Sequence, residues 1–339
     1  MWRRPLLEVR NAGGINVLPG LAGLWLEVSV TDKAGQESDS ASIRCVGPPS
    51  LVALPKRGDV YEILMGWDDE GLVLQGRYSF QKARLIGDPD QGETVTLEFR
   101  AADFVDKLKA SGRKHYDETT YGDLMKKVAK EAGIDAEVDP ALAKIKLGYR
   151  LRWDQSPIDF ATEISEEVGA TVKPAGGKLV AMKRGGGTTG GGQTLAPILI
   201  QRRRGFGYEI DIEPRPEVGS VAGAWLDEKT GERKLNRKKA NRSGPLAILP
   251  HPYRSEEAAG AAAEAAIYEH SNASGSGHFE SPGLPHARAE APVIASGYGA
   301  PIDGRWKAEG VDKIVTSAGG FLTTVHVTAG DDKKGEKGK

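Results

Sequence analysis

Short runs in which apolar and polar residues alternate, each closed by glycine or a polar turn, constrain this chain's fold more than any other feature. Residues 24–32, 40–46, 59–66, 71–76 and 93–99 all read this way, with Val28 and Val30, then Ile43 and Cys45, at period-two positions. Residues 67–71 place Asp68, Asp69 and Glu70 between Trp67 and Gly71, the composition of a hairpin turn. Five or more strands at this spacing predict a small barrel or sandwich over 1–101. The 44 glycines of the 339 residues fall largely between such runs, which favours many short strands over long helices.

The period changes over 102–185. Phe104 and Leu108 fall on one face of a short helix at 102–108. Thr120 with Asp123 three residues on caps a second helix, along which Leu124, Val128 and Ala132 recur before Gly133. Ser156, Pro157 and Asp159 open a third helix with Phe160, Ile164 and Val168 in one stripe, and Gly169 supplies a left-handed cap. Residues 170–173 and 178–182, joined through Gly176 and Gly177, make a closing hairpin. The region is therefore an α+β insert.

Glycine dominates 185–192, so 186–197 is a flexible linker. A second β domain follows over 198–330, with strands at 198–200, 207–212, 218–225, 287–291 and 304–327. Within it, 226–249 is a protruding loop carrying Arg233, Lys234, Arg237, Lys238, Lys239 and Arg242, and Ser255 caps an Ala-rich helix at 255–270. The tail 331–339 is disordered by composition. The fold class is α+β, mainly β, with two β domains flanking the insert.

No pattern here demands catalysis. The glycines at 185–192 lack the Lys and the helix start of a phosphate loop. Among His115, His251, His270, His278, His286 and His326 no pair has helical zinc spacing; His278 and His286, eight apart, share a Gly/Pro loop. The carboxylate groups Asp68-Asp69-Glu70 and Glu163-Glu166-Glu167 read as a turn and a solvent face, and no Gly-x-Ser-x-Gly elbow is present. No catalytic, cofactor or metal residue is expected, and the chain is expected not to be an enzyme. Net charge of −1 supplies no field for nucleic acid, and Arg202-Arg203-Arg204 with the 233–242 run read as interface or lumen charge without base readout. The lone Cys45 excludes an intrachain disulfide and reads as a small buried strand residue. No apolar stretch approaches the roughly 20 residues of a bilayer span, and no secretory signal is expected, so the chain is expected to fold in a cytoplasm.

Three stretches carry a family resemblance. One joins residues 99–108 to 120–129; another is 155–170 with its hairpin; the last runs from His251-Pro252-Tyr253 through the Ala-rich helix and Gly304-Arg305-Trp306 to Gly320-Phe321-Leu322. In their order and spacing the chain resembles the late control D protein family of contractile-tailed phages, baseplate hub proteins similar to the hub part of type VI secretion spike proteins. The resemblance implies two tail-tube-like β-barrels per chain. It also implies a homotrimeric, pseudo-sixfold ring joining a hexameric tail tube to a trimeric central spike in the virion baseplate. Implied partners are the tail tube protein, the spike protein, other baseplate subunits and the tape measure protein, with no stable membrane insertion. The long basic loop and the glycine linker depart from the family pattern. The alternatives are a tail-associated cell-wall hydrolase and a peptidoglycan-binding module in the insert.

Overall fold

The computed structural model describes residues 3–329 except 36–37, 91, 102–107, 176–177, 185–186, 189–190, 213–217, 228, 241–243 and 273–274, and only the backbone of 268–272. The helix expected over 102–108 up to its last residue, the Gly176-Gly177 joint, part of the glycine run, Arg242 and the tail therefore lie outside the described residues.

The first region supplies β1 (Pro5–Asn11), β2 (Trp25–Lys33), β3 (Ser40–Val46), β4 (Val60–Trp67), β5 (Gly71–Asp88) and β6 (Gly92–Ala101). The insert contributes β7 (Gly112–Thr120), α1 (Tyr121–Ala132), β8 (Asp135–Val138), α2 (Pro140–Ala143), β9 (Lys146–Gln155), α3 (Pro157–Glu167), β10 (Ala170–Ala175) and β11 (Lys178–Lys183). The last region adds β12 (Ile198–Gln201), β13 (Tyr208–Ile212), β14 (Ser220–Asp227), β15 (Glu232–Lys239), β16 (Leu246–Ile248), α4 (Glu256–Asn272), β17 (Gly275–Pro282), β18 (Pro292–Ser296), β19 (Gly304–Thr316) and β20 (Phe321–Ala329).

The two β regions are parts of one twelve-stranded sheet. Its main path runs β1-β4-β5-β6-β3-β2-β19-β20-β17-β13, while β18 pairs with β19 and β12 with β18. Divided at the β2–β19 joint, the halves share one plan. If the strands of each half are numbered one to six in chain order, both read 1-4-5-6-3-2. All pairings within the first half are antiparallel, and all within the second except β12–β18, which is parallel. An internal repeat is thus present in topology.

Period-two burial builds each half. Val28 and Val30, Ile43 and Cys45, Val95 and Leu97 point inward to one core that also takes Val9, Ile63 and Tyr78. In the second half Ile200, Phe279, Val293, Val311 and Val325 make the corresponding core. Because first and last strands of each path feed one core, each sheet is rolled. The tail-tube-like plan is present in open form: among the described residues neither rolled sheet pairs its end strands, and β2 spends its outer edge on β19.

The insert follows its capping signals. The Thr120 Oγ1 accepts from the Asp123 N–H at 3.2 Å, and the Ser156 Oγ from the Asp159 N–H at the same distance. Gly133 and Gly169 end their helices with φ of 77° and 68°, the left-handed region that favours glycine. Leu124, Val128, Phe160 and Ile164 form its core. Three further strands and α2 carried no signal strong enough to read; β8 adds parallel to the β10–β11 hairpin, and β7 pairs with β9.

Two expectations are corrected. The segment 226–249 is not a loop: β15 and β16 flank β14 in a three-stranded sheet. Its alternation was masked because the covered face of β15, Lys234, Asn236 and Lys238, is polar and reaches α4 through the Asn236 amide on the Glu256 carbonyl (2.9 Å), while Leu235 is exposed. Residues 287–291 form no strand either. They run irregularly, with a turn at 289–290 and Glu290 at φ 66°; Ala287, Ala289 and Ala291 are buried, and the backbone groups go to Leu284, to side chains and to Ala308.

Helix α4 lies so close to β14 that a Cβ at Gly223 would meet the Ala259 carbonyl oxygen at 2.3 Å. Gly223→Ala should therefore lift α4 and cost about 1–3 kcal/mol. Urea denaturation compared with the parent chain measures it.

Candidate assembly surface

The joint between the halves is held by a strand ladder and by side-chain hydrogen bonds on both of its faces. Seven residue pairs link β2 and β19 from Gly310↔Lys33 to Thr316↔Glu27. On its outer face the Thr31 hydroxyl donates to Asp312 at 2.6 Å, and Asp312 also bonds His326 at 2.8 Å. That hydrogen bond holds the His326 imidazole above its ordinary pKa. On the inner face, the Lys313 ammonium donates to the Gln75 side-chain oxygen (2.6 Å) and to the Pro285 and Ala287 carbonyls (2.9 and 2.8 Å). Arg288 donates to the same Gln75 oxygen at 2.9 Å and to the Leu74 carbonyl at 2.8 Å. The Trp67 indole N–H reaches the Gly283 carbonyl at 2.9 Å while its ring packs on Phe321. Lys313 is 1% exposed, and burial, aided by the nearby Arg288 charge, pushes its pKa down to about 6.

The insert is pinned to this joint. Lys173 of β10 pairs with Asp32 (3.6 Å) and Asp39 (3.5 Å) and donates to the Lys33 carbonyl. Burial works to lower its pKa, but the two carboxylates outweigh it and hold the ammonium above its ordinary range. On the other side Glu264 of α4 pairs with Lys183 and Lys238, each at 2.8 Å, across a cleft of about 900 Å³.

Several strands expose apolar side chains, among them β5, β13 and β9. Beyond its pairing with β4, which stops at Ser79, β5 continues through Lys82 to Gly87 with Leu85 50% and Ile86 40% exposed. Strand β13 exposes Tyr208 and Ile212. Strand β9 is inside out: Arg150 and Arg152 turn inward to Glu167 and Glu131 (2.6 and 2.9 Å), while Tyr149, Leu151 and Trp153 face solvent, with Arg113 over the Trp153 ring at 4.1 Å. Contiguous apolar side chains of this kind mark surfaces that meet a partner.

The residues weighed for chemistry are scattered. Asp69 and Glu70 lie exposed on the β4–β5 turn, paired with Arg3. Glu163 and Glu167 lie one turn apart on α3, but Glu163 accepts from Gln155 and Glu167 pairs with Arg150. His278 is corrected from a loop to strand β17, where its ring lies 6.1 Å from that of His326; His286 stays in the following loop. Thr188, within the glycine run, donates to Asp139 at 3.2 Å, and Arg202 lies over Tyr208. Cys45 is buried. Among the described residues no group of three His, Cys, Asp or Glu could hold a metal ion, and no helix is long and apolar enough to cross a membrane. The assembly features were missed in sequence: a bulge at Phe80/Lys82 breaks the alternation of β5, and nothing local sets Lys313 apart from the other lysines.

No protein-family model matches the chain. In sequence it is 30% identical over 204 residues (60% of this chain, 52% of the relative) to the probable baseplate hub protein of Escherichia phage P2. It is 28% identical over 230 residues to the probable baseplate hub protein of Escherichia phage 186, covering 58% of it. The chain thus spans between half and three-fifths of these relatives' length. In fold it superposes on a tail protein from Neisseria meningitidis with a TM-score of 0.66 at 15% identity, covering 96% of each chain. The 43 kDa tail protein of prophage MuSo2 from Shewanella oneidensis gives 0.65 at 11% identity, covering 97% of this chain and 99% of that one. An E. coli component of the type VI secretion system gives 0.56 at 8% identity, covering 98% of this chain and 79% of that one.

The lysine at the joint has a pH signature. An amine that is protonated when unfolded and resists protonation when folded lets stability rise as pH climbs from about 6 toward the ordinary lysine value. Urea midpoints should rise between pH 6 and pH 9, and the rise should be smaller in Lys313→Met, whatever that variant's absolute stability. This chain is similar in sequence to the probable baseplate hub proteins of two phages and shares its fold with tail proteins.

Proposed function

We propose that this chain is a non-enzymatic structural hub of a phage-type contractile tail baseplate. Three copies form a ring in which each rolled sheet occupies one of six near-equivalent places. One end of the ring then presents sixfold-like symmetry to a hexameric tail tube, and the other presents threefold symmetry to a trimeric central spike. The observation that carries this reading is the repeated strand order 1-4-5-6-3-2 in both halves of one polypeptide. A chain built as two copies of one unit can imitate a hexamer with three protomers.

The sequence similarity to probable baseplate hub proteins supports the same reading. So does the character of the polar groups: the perturbed amine of Lys313 is consumed by carbonyls at the joint rather than aimed into a cleft. Further partners in this reading are other baseplate subunits and the tape measure protein. The place of action is the virion baseplate, after assembly in the host cytoplasm. The inserted α+β unit and α4 stand outside the ring wall, where the exposed face of β9 meets neighbouring baseplate subunits.

Sedimentation should give three times the chain mass, alone or on mixing with the cognate tube and spike proteins, and negative-stain images should show a ring with an open channel. A stable monomer that joins neither protein would sink the proposal.

A further inference from the structure

The joint within the chain is a template that is used once and left unfilled once. Strand β19 carries two partners along one edge. Strand β18 pairs from Gly304 to Lys307 and β2 from Gly310 to Thr316, and a bulge between Ala308 and Gly310 in the β19–β20 ladder marks the changeover. Its counterpart β5 is built alike: β4 pairs from Gly71 to Ser79, and a bulge between Phe80 and Lys82 interrupts the ladder with β6. From Lys82 to Gly87, however, no strand takes that edge among the described residues. Gly310, Val311, Lys313 and Val315 are buried, whereas Lys82, Arg84, Leu85, Ile86 and Gly87 are exposed. The strand that fills the edge on β19 is the second strand of its half, β2. The second strand of the other half is β13, and its outer edge too lacks a strand among the described residues.

We infer that β13 of one protomer adds as an antiparallel strand to residues 82–87 of β5 in a second copy of the chain. The inference rests on the ring reading and specifies the contact that would close it. Register follows from matching the ladders. The bulges align Gly310 with Lys82, and hence Lys313 with Leu85. The β3–β6 and β17–β20 ladders align Ile43 with Phe279, so that Val28, opposite Ile43, matches Tyr208, opposite Phe279, and Val30 matches Ile210. Carrying the in-chain pair Lys313↔Val30 across places Ile210 opposite Leu85, Asp211 opposite Arg84 and Ile212 opposite Ala83.

The chemistry of these pairs is complementary. Ile210 and Leu85 fall on the core side. Asp211 and Arg84 fall where the in-chain joint has its Thr31–Asp312 hydrogen bond, so an opposite-charge pair takes the place of that contact. A one-residue slip would turn Asp211 toward the core and lose the match. The contact is head to tail, and such a contact closes into a ring when its rotation repeats.

The test uses the full chain with Arg84→Cys and Asp211→Cys together. Directly opposed antiparallel residues have Cα atoms about 4.5–5.5 Å apart, within disulfide range. Mild oxidation should give ladders of two and three linked chains on non-reducing gels. Leu85→Cys with Asp211→Cys, one position out of register, should give none. As a second measurement, Arg84→Asp or Asp211→Arg alone should weaken self-association about fivefold, a ~1 kcal/mol change in one cross-strand pair, and the two charge reversals together should restore it. Rings seen by sedimentation and microscopy without the disulfide between positions 84 and 211, or with the out-of-register link in its place, would overturn the strand addition and leave the ring reading standing. A chain that stays monomeric even with tube and spike proteins would overturn both.

Discussion

Everything in this architecture depends on where β2 spends its second edge. A rolled sheet has two end strands, and pairing them with each other gives a closed barrel with no edge to manage. Here β2 instead pairs with β19, and the first sheet stays open so that it can fuse with the second. The exchange costs the closure of each half and gains a fixed angle between them. Side chains that would be idle in a barrel hold that angle: the Trp67 indole on Gly283, and Gln75 shared between Lys313 and Arg288. The outer edge of β1, released by the same choice, is covered by its own chain, since the Val9 N–H donates to the Asn16 side chain and the Val17 N–H to the Val9 carbonyl.

Repetition of the strand plan does not make the halves interchangeable. Strands two and three are joined by a short turn in the first half, but in the second by β14, β15, β16 and α4. The first strand also differs in direction, β1 running antiparallel to β4 and β12 parallel to β18. The insert and α4 then bracket each other through Glu264 with Lys183 and Lys238, while Lys173 ties the insert to the β2–β3 turn. The additions are therefore clamped to the joint region, and the two rolled sheets carry the repeat.

How far the sequence disclosed this depended on whether the responsible signal was local. The capped helices were legible because Thr120, Ser156, Gly133 and Gly169 act on the backbone within a few residues of themselves. The strands of the first half were legible where alternation was clean, as in β3. Strand β5 was legible only to Gly76, since irregularities at Gln75 and again at Phe80/Lys82 shift the phase of its buried residues. The basic strand β15 hid because its covered face, Lys234, Asn236 and Lys238, is polar, and the irregular segment 287–291 imitated a strand by burying alanines at alternate positions. The common strand order was not legible at all. It is a fact about which edges meet, and partners such as Gly310 and Lys33 lie hundreds of residues apart in the chain.

Lys313 shows why the strongest electrostatic perturbation here argues for structure rather than chemistry. A buried amine held near pKa 6 is what a nucleophilic or proton-transferring lysine requires. Such a lysine must also keep a donor or lone pair for a substrate and stand at the edge of a cleft. Lys313 meets neither condition: three oxygens, from Gln75, Pro285 and Ala287, surround its nitrogen at 2.6–2.9 Å, and it is 1% exposed. Two of those oxygens are backbone carbonyls of the segment crossing the joint, so the amine fixes where that segment lies relative to β5 and β19. A leucine at that place would fill the space and leave the carbonyls unpaired in a dry interior. In the other half the corresponding position is Leu85, on an edge with no segment crossing it, and there an apolar side chain meets no such demand.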